Sequence, residues 1–119
     1  MVSVQKLVHL HLGWHRDFRE RLERGEPVDP VAVGRDDLCA VGRWVYGEGM
    51  AYTGLSEYEA FKEAHAGYHA SVARTAELAA EGKTDEARER CSPDGASGAA
   101  SLDLIMKCGD LTEKLAAKE

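Results

Sequence analysis

The sequence predicts an all-α fold, an antiparallel four-helix bundle whose second helix is short. Three observations lead there. Apolar residues recur at spacings of three and four through three long stretches, the signature of one helical face. No stretch sustains the period-two alternation of a strand. Clusters of Gly and Pro fall between the periodic stretches, where they break helices and permit turns.

Each element has its own signal. Val4, Leu7, Val8, His11, Trp14, Phe18 and Leu22 define a first helix from about Val4 to Arg24, which Gly25 stops. Pro27 and Pro30 make Glu26 to Gly34 an expected loop, because proline lacks a donor and restricts the residue before it. Asp36 or Asp37 is the expected cap of the second helix, running through Leu38, Cys39, Val41, Trp44 and Val45. It is expected to end where Gly47 and Gly49 allow left-handed backbone. Ser56 and Glu59 form a capping-box pattern that opens a third helix through Tyr58, Phe61, His65, Tyr68, His69, Val72 and Ala76 to Glu81. After Gly82, Thr84 to Arg90 suits a short helical turn, and Ser92-Pro93-Asp94-Gly95 interrupts the chain. From about Ala96, Leu102, Ile105, Met106, Leu111 and Leu115 support a final helix.

A chain of 119 residues fits a single domain spanning 1–119, large enough to bury roughly two-thirds of its unfolded surface. With 15 Lys plus Arg against 21 Asp plus Glu, the formal charge of −6 argues against nucleic acid as a partner. No apolar run reaches the length of a membrane span, and Met1 to Trp14 lacks a signal peptide's apolar core and cleavage site. A soluble, cytoplasmic protein is therefore expected. Three cysteines, an odd number, make a disulfide framework an unsuitable reading.

The five histidines fall in two clusters. At 100° per residue, His11 sits centrally on the apolar stripe of the first helix, with Leu7, Trp14, Phe18 and Leu22 within about 60°. His15 lies about 40° from it, at the edge, where it is either a surface residue or a substitute for His11, and His9 points about 160° away, toward solvent. On the third helix His65 and His69, four apart, share the inward face and can hold one ion together. Buried imidazoles need partners or a metal. Cys39 on the second helix adds a thiolate, and one sulfur with three imidazoles is a tetrahedral donor set suited to Zn²⁺. The candidate site in the bundle core is His11, Cys39, His65 and His69. Trp14 and Trp44 are expected to pack in the core and shield the ion from water. Cys91, beside a turn, is expected to be partly exposed, and Cys108 to pack with Leu104, Leu111 and Leu115.

His11-Leu-Gly-Trp14, Asp36-Asp37-Leu38-Cys39-Ala40-Val41-Gly42-Arg43-Trp44-Val45-Tyr46-Gly47 and His65-Ala-Gly-Tyr-His69 occur in that order. Together they resemble the chemoreceptor zinc-binding (CZB) domain of bacteria, over nearly the whole chain. The family pattern is His-x-x-Trp or Phe, Cys-x-x-Gly-x-Trp and His-x-x-x-His. Val41 stands where Leu is common and Arg43 where Lys is common, and neither change removes a ligand. The resemblance implies a helical bundle that binds zinc through three His and one Cys, here as a stand-alone member. It also implies a homodimer, a chemoreceptor or diguanylate cyclase as partner, and sensing of zinc or hypochlorous acid.

Four protein ligands would leave zinc no open position for an activated water, so hydrolysis is disfavoured and no enzyme is expected. Instead, Cys39, held as a thiolate, is the candidate redox switch. Two other readings use the same residues: a hemerythrin-like di-iron protein, which would want more His and bridging carboxylates, and a purely structural zinc module that binds a partner.

Overall fold

The computed structural model describes residues 4–117. Among them it is all-helical, with six helices: α1 (Val4–Glu23), α2 (Pro30–Gly34), α3 (Ala40–Val45), α4 (Ser56–Ala80), α5 (Thr84–Arg90) and α6 (Ala96–Ala117). A 3-10 turn at Glu48–Tyr52 follows α3. No helix among the described residues is long and apolar enough to cross a membrane.

Three long helices make the frame. Val4 and His11 on α1 meet Cys108 and Ser101 on α6, so residue numbers rise on one helix as they fall on the other: α1 and α6 run antiparallel. Ser71 bonds Ser97, and Ala64 lies across a groove from Lys107, so α4 and α6 are antiparallel too. His15 meets Tyr68 and Leu22 faces Ala76, which makes α1 and α4 parallel. Leu7, Phe18, Leu22, Tyr58, Phe61, Tyr68, Val72, Leu104 and Leu111 are buried between these helices. At roughly 1.5–3 kcal/mol per large apolar side chain, that core is the main source of stability.

Between α1 and α4 the structure departs from the single short helix that the sequence suggests. The expected loop at 26–34 contains α2. Asp29 caps it, its carboxylate accepting the Val31 N–H at 3.0 Å, and Pro30 takes the first helical position, where a missing donor costs nothing. The next helix starts later than expected. Cys39, rather than Asp36 or Asp37, is its N-cap, with extended backbone and its sulfur accepting the Gly42 N–H at 3.2 Å. Gly47 and Gly49 do not adopt positive φ; the glycines that do are Gly25, Gly54 and Gly82. Gly49 is instead needed for space, since a Cβ there would lie 2.8 Å from the Trp44 ring and carbonyl.

Leu55, not Ser56, caps α4, and the expected capping box is replaced by a bond from the Gly54 N–H to the Glu59 carboxylate at 3.0 Å. On α6, Leu104, Cys108 and Leu111 face the core, whereas Leu102 and Met106 are exposed. The inward stripe is thus the one that passes through Cys108. A polar seam joins α4, α5 and α6: Arg90 donates to Thr75 and Ser71, and both of these hydroxyls bond Ser97.

Candidate metal centre

Two neighbouring turns of α4 present His65 and His69 on one inward face, and the start of α3 brings Cys39 to them. The delivery depends on close backbone packing. A Cβ on Gly42 would lie 1.8 Å from the Asp36 carbonyl oxygen, so only glycine lets the 36–37 segment cross α3 there. Tyr46, at the far end of α3, donates its hydroxyl to Asp36 and ties the same segment down. That bond to a carboxylate, with burial, pushes the Tyr46 pKa up to about 12. The spacing Cys-x-x-Gly-x-Trp therefore has a local logic. The Cys caps, the Gly donates to the sulfur and makes room, and Trp44 buries itself against Tyr58 and Phe61.

The Cys39 sulfur lies 3.2 Å from His65 Nε2 and 3.5 Å from His69 Nε2, and the three donor atoms are all within 4.8 Å of one another. A tetrahedral zinc with bonds of about 2.3 Å to sulfur and 2.0–2.1 Å to nitrogen would set its sulfur and nitrogen ligands roughly 3.5 Å apart. The observed spacing meets that demand with shifts of a few tenths of an ångström. The orientation fits as well. His69 Nδ1–H donates to the Val33 carbonyl at 2.8 Å, which fixes the tautomer and leaves the Nε2 lone pair facing the sulfur. His65 differs: its Nδ1 is buried without a hydrogen-bond partner, so no protein group fixes its tautomer as Val33 fixes that of His69. Cys39, His65 and His69 thus form a cluster that could bind a metal ion. Soft sulfur with imidazole nitrogens, and no carboxylate within the cluster, is compatible with zinc.

The electrostatics favour neutral imidazoles. Burial, followed by the neighbouring histidines, pulls His11 down to about 3, and burial with His69 pulls His65 down to about 4. His69 is also lowered by burial. The charge of Asp36 opposes the shift at both His65 and His69, placing a negative potential where a cation would sit. Burial pushes the Cys39 thiol up, so at neutral pH the sulfur needs a cation to become a thiolate.

His11 stands apart from this trio. It lines the same cavity of about 200 Å³, with Trp14 and Val41, but its Nε2 is 2.7 Å from the Ser101 hydroxyl and it is not one of the clustered donors. His15, expected at the helix edge, is buried, with Nδ1 bonded to the Tyr68 hydroxyl. His9 is exposed. Trp14 covers His69 edge-on at 4.9 Å, while Trp44 sits one ring further out, behind Phe61 and His65. Cys91 is buried rather than half-exposed, and burial raises its pKa; Cys108 packs as expected.

Three supporting groups escaped the sequence reading: the Val33 carbonyl, Ser101 and Tyr68 as a partner of histidine. Asp29-Pro30, a good N-cap followed by proline, was the available signal for the helix that carries Val33. No sequence signal pairs Ser101 with His11 across ninety residues. Compared with models of protein families, with curated proteins and with solved structures, the chain matches none.

Proposed function

We propose that the protein is a zinc-binding sensory domain of the CZB family, in which Cys39, His65, His69 and, as fourth donor, His11 hold Zn²⁺. The observation that carries this reading is the convergence of the Cys39 sulfur with the Nε2 atoms of both α4 histidines. The motif residues support it further, because Gly42 and Trp44 each have a physical task in presenting Cys39. A thiol in the cluster weighs against a di-iron centre.

Bound zinc would supply the charge that keeps Cys39 a thiolate at neutral pH. Cys39 is then the responsive group. The thiolate attacks the chlorine of hypochlorous acid, so that an S–Cl bond forms as the Cl–O bond breaks and hydroxide leaves; water then displaces chloride, and the sulfur, having lost two electrons, ends as a sulfenic acid. The oxidised sulfur is a poorer ligand to the ion and a poorer acceptor for the Gly42 N–H that it caps, so the 36–46 segment loosens. A chemoreceptor or diguanylate cyclase would read that change, and a homodimer would be the form that presents it. With all four positions filled by protein, the site has no hydrolytic role.

The test is metal content of the purified protein and of separate alanine variants at His11, Cys39, His65 and His69, followed by hypochlorite treatment with mass spectrometry. Near-stoichiometric zinc that falls in each variant, and zinc release that tracks oxidation of Cys39, are the expected results. Two irons per chain would overturn the metal assignment. Zinc retained beside an unmodified Cys39 would overturn the redox role.

A further inference from the structure

Ser101 is a buried hydroxyl on α6, 5% exposed, and its partner is Nε2 of His11 on α1. His11 borders the cavity that Cys39, His65 and His69 also line, yet it is not among the donors drawn together there. The cluster supplies three donors, and tetrahedral zinc takes four. In a proposal that rests on the zinc reading above, we propose that Ser101 is a latch: it holds His11 off the metal, and capture of His11 by the metal frees the Ser101 hydroxyl, so that occupancy of the site is felt on α6.

The physical argument lies in what each state leaves unpaired. A buried neutral imidazole needs a partner, and without metal Ser101 provides it at 2.7 Å. Drawing His11 to the ion through Nε2, the atom that Ser101 holds, breaks that bond. The hydroxyl left behind can turn back to the carbonyl one turn earlier in its own helix, an arrangement that bends helices slightly. Metal capture is therefore opposed by the bond between α1 and α6 and, by linkage, whatever strains that seam changes metal affinity equally. His11 and the three clustered donors line one cavity of about 200 Å³, together with Leu10, Trp14, Ala40 and Val41.

Zinc affinity measured by competition with a chromophoric chelator tests the latch in four proteins: wild type, Ser101→Ala, His11→Ala and the double variant. Removing the hydroxyl leaves His11 without its alternative partner, so Ser101→Ala is expected to tighten zinc binding about 2- to 10-fold. In the His11→Ala background the same substitution is expected to change nothing. Nitrogen-15 NMR of the histidine rings in the wild type gives a readout that needs no substitution: the His11 Nε2 resonance shifts on zinc addition if the ring leaves Ser101. Unchanged or weaker zinc binding in Ser101→Ala, an equal gain without His11, or a His11 ring that does not respond to zinc would overturn the latch alone. A wild-type chain that takes up no zinc would overturn the metal centre and the latch together.

Discussion

The sulfur of Cys39 accepts the Gly42 N–H as the cap of α3 while facing two imidazoles, so one atom serves the backbone and the candidate metal centre. Cys39→Ser separates the two tasks. Serine is a better helix cap than cysteine and a far poorer zinc ligand. The variant is expected to keep its helical circular dichroism and melt within about 1 kcal/mol of the metal-free wild type. Zinc affinity, read by chelator competition, should fall more than about 100-fold, beyond what loss of a supporting contact costs. Protonation of the imidazoles gives a second prediction at this scale. His11 and His65 have folded pKa values pulled to about 3 and about 4, below their ordinary 6.5. Their neutral burial therefore contributes fully above pH 6.5, and the contribution is lost as pH falls below 6.5 toward those values. Metal-free protein should lose on the order of 1 to 2 kcal/mol from each by pH 5, because the unfolded chain binds protons that the folded chain refuses. Urea melts at pH 7.5 and pH 5 check this, and stability that stays level across the interval would contradict neutral burial.

Helix α3 is six residues long and cannot hold itself in place. What places it is the crossing of the 36–37 segment over Gly42, the Tyr46–Asp36 bond, and the Tyr58 hydroxyl donating to the Val45 carbonyl at 2.6 Å. Gly42→Ala would put a methyl group 1.8 Å from a backbone oxygen, a contact that no rotamer relieves. It is expected to destabilise the protein by about 2–3 kcal/mol and to abolish stoichiometric zinc binding, whereas Gly67→Ala, with open space at its Cβ, should do neither. Thermal melts with metal analysis of both variants are the check. Elements of this kind also mark where the sequence is legible. The three long helices announce themselves through their apolar period, and α5 lies between the breaks at Gly82 and Pro93 as expected. The inward placing of His65 and His69 follows from the same period. The path between α1 and α4 does not, because α2 and α3 are too short to show a period; α2 leaves only its Asp29-Pro30 start in the sequence, and the crossing over α3 leaves only Gly42. His11 illustrates a different limit: its helix face is legible, but its choice of Ser101 as partner depends on how α1 and α6 pack.

Across the whole molecule one apolar core joins the frame of α1, α4 and α6 to the 28–47 segment, which contributes Val33, Val41, Trp44 and Val45 and is also tied by a few polar bonds. The donors of the candidate centre come from both parts, with Cys39 on the 28–47 segment and His65 and His69 on the frame. A metal bound there would join the two parts, and its effect on stability should be large but unevenly distributed. A ligand that binds only the folded chain adds about 2.7 kcal/mol at one hundred times its dissociation constant. For a chain of this size that corresponds to a rise of roughly 10 °C in melting temperature. Calorimetry with and without zinc should show this rise, chelator should reverse it, and His65→Ala should remove it. Amide hydrogen exchange then locates the effect. Protection is expected to increase most at residues 33–46, whose helices are too short to hold themselves and which the ion ties directly to α4, and least in the middle of α4, a long helix of the frame. Uniform protection along the chain would mean that the 28–47 segment and the frame open only together, as one cooperative unit.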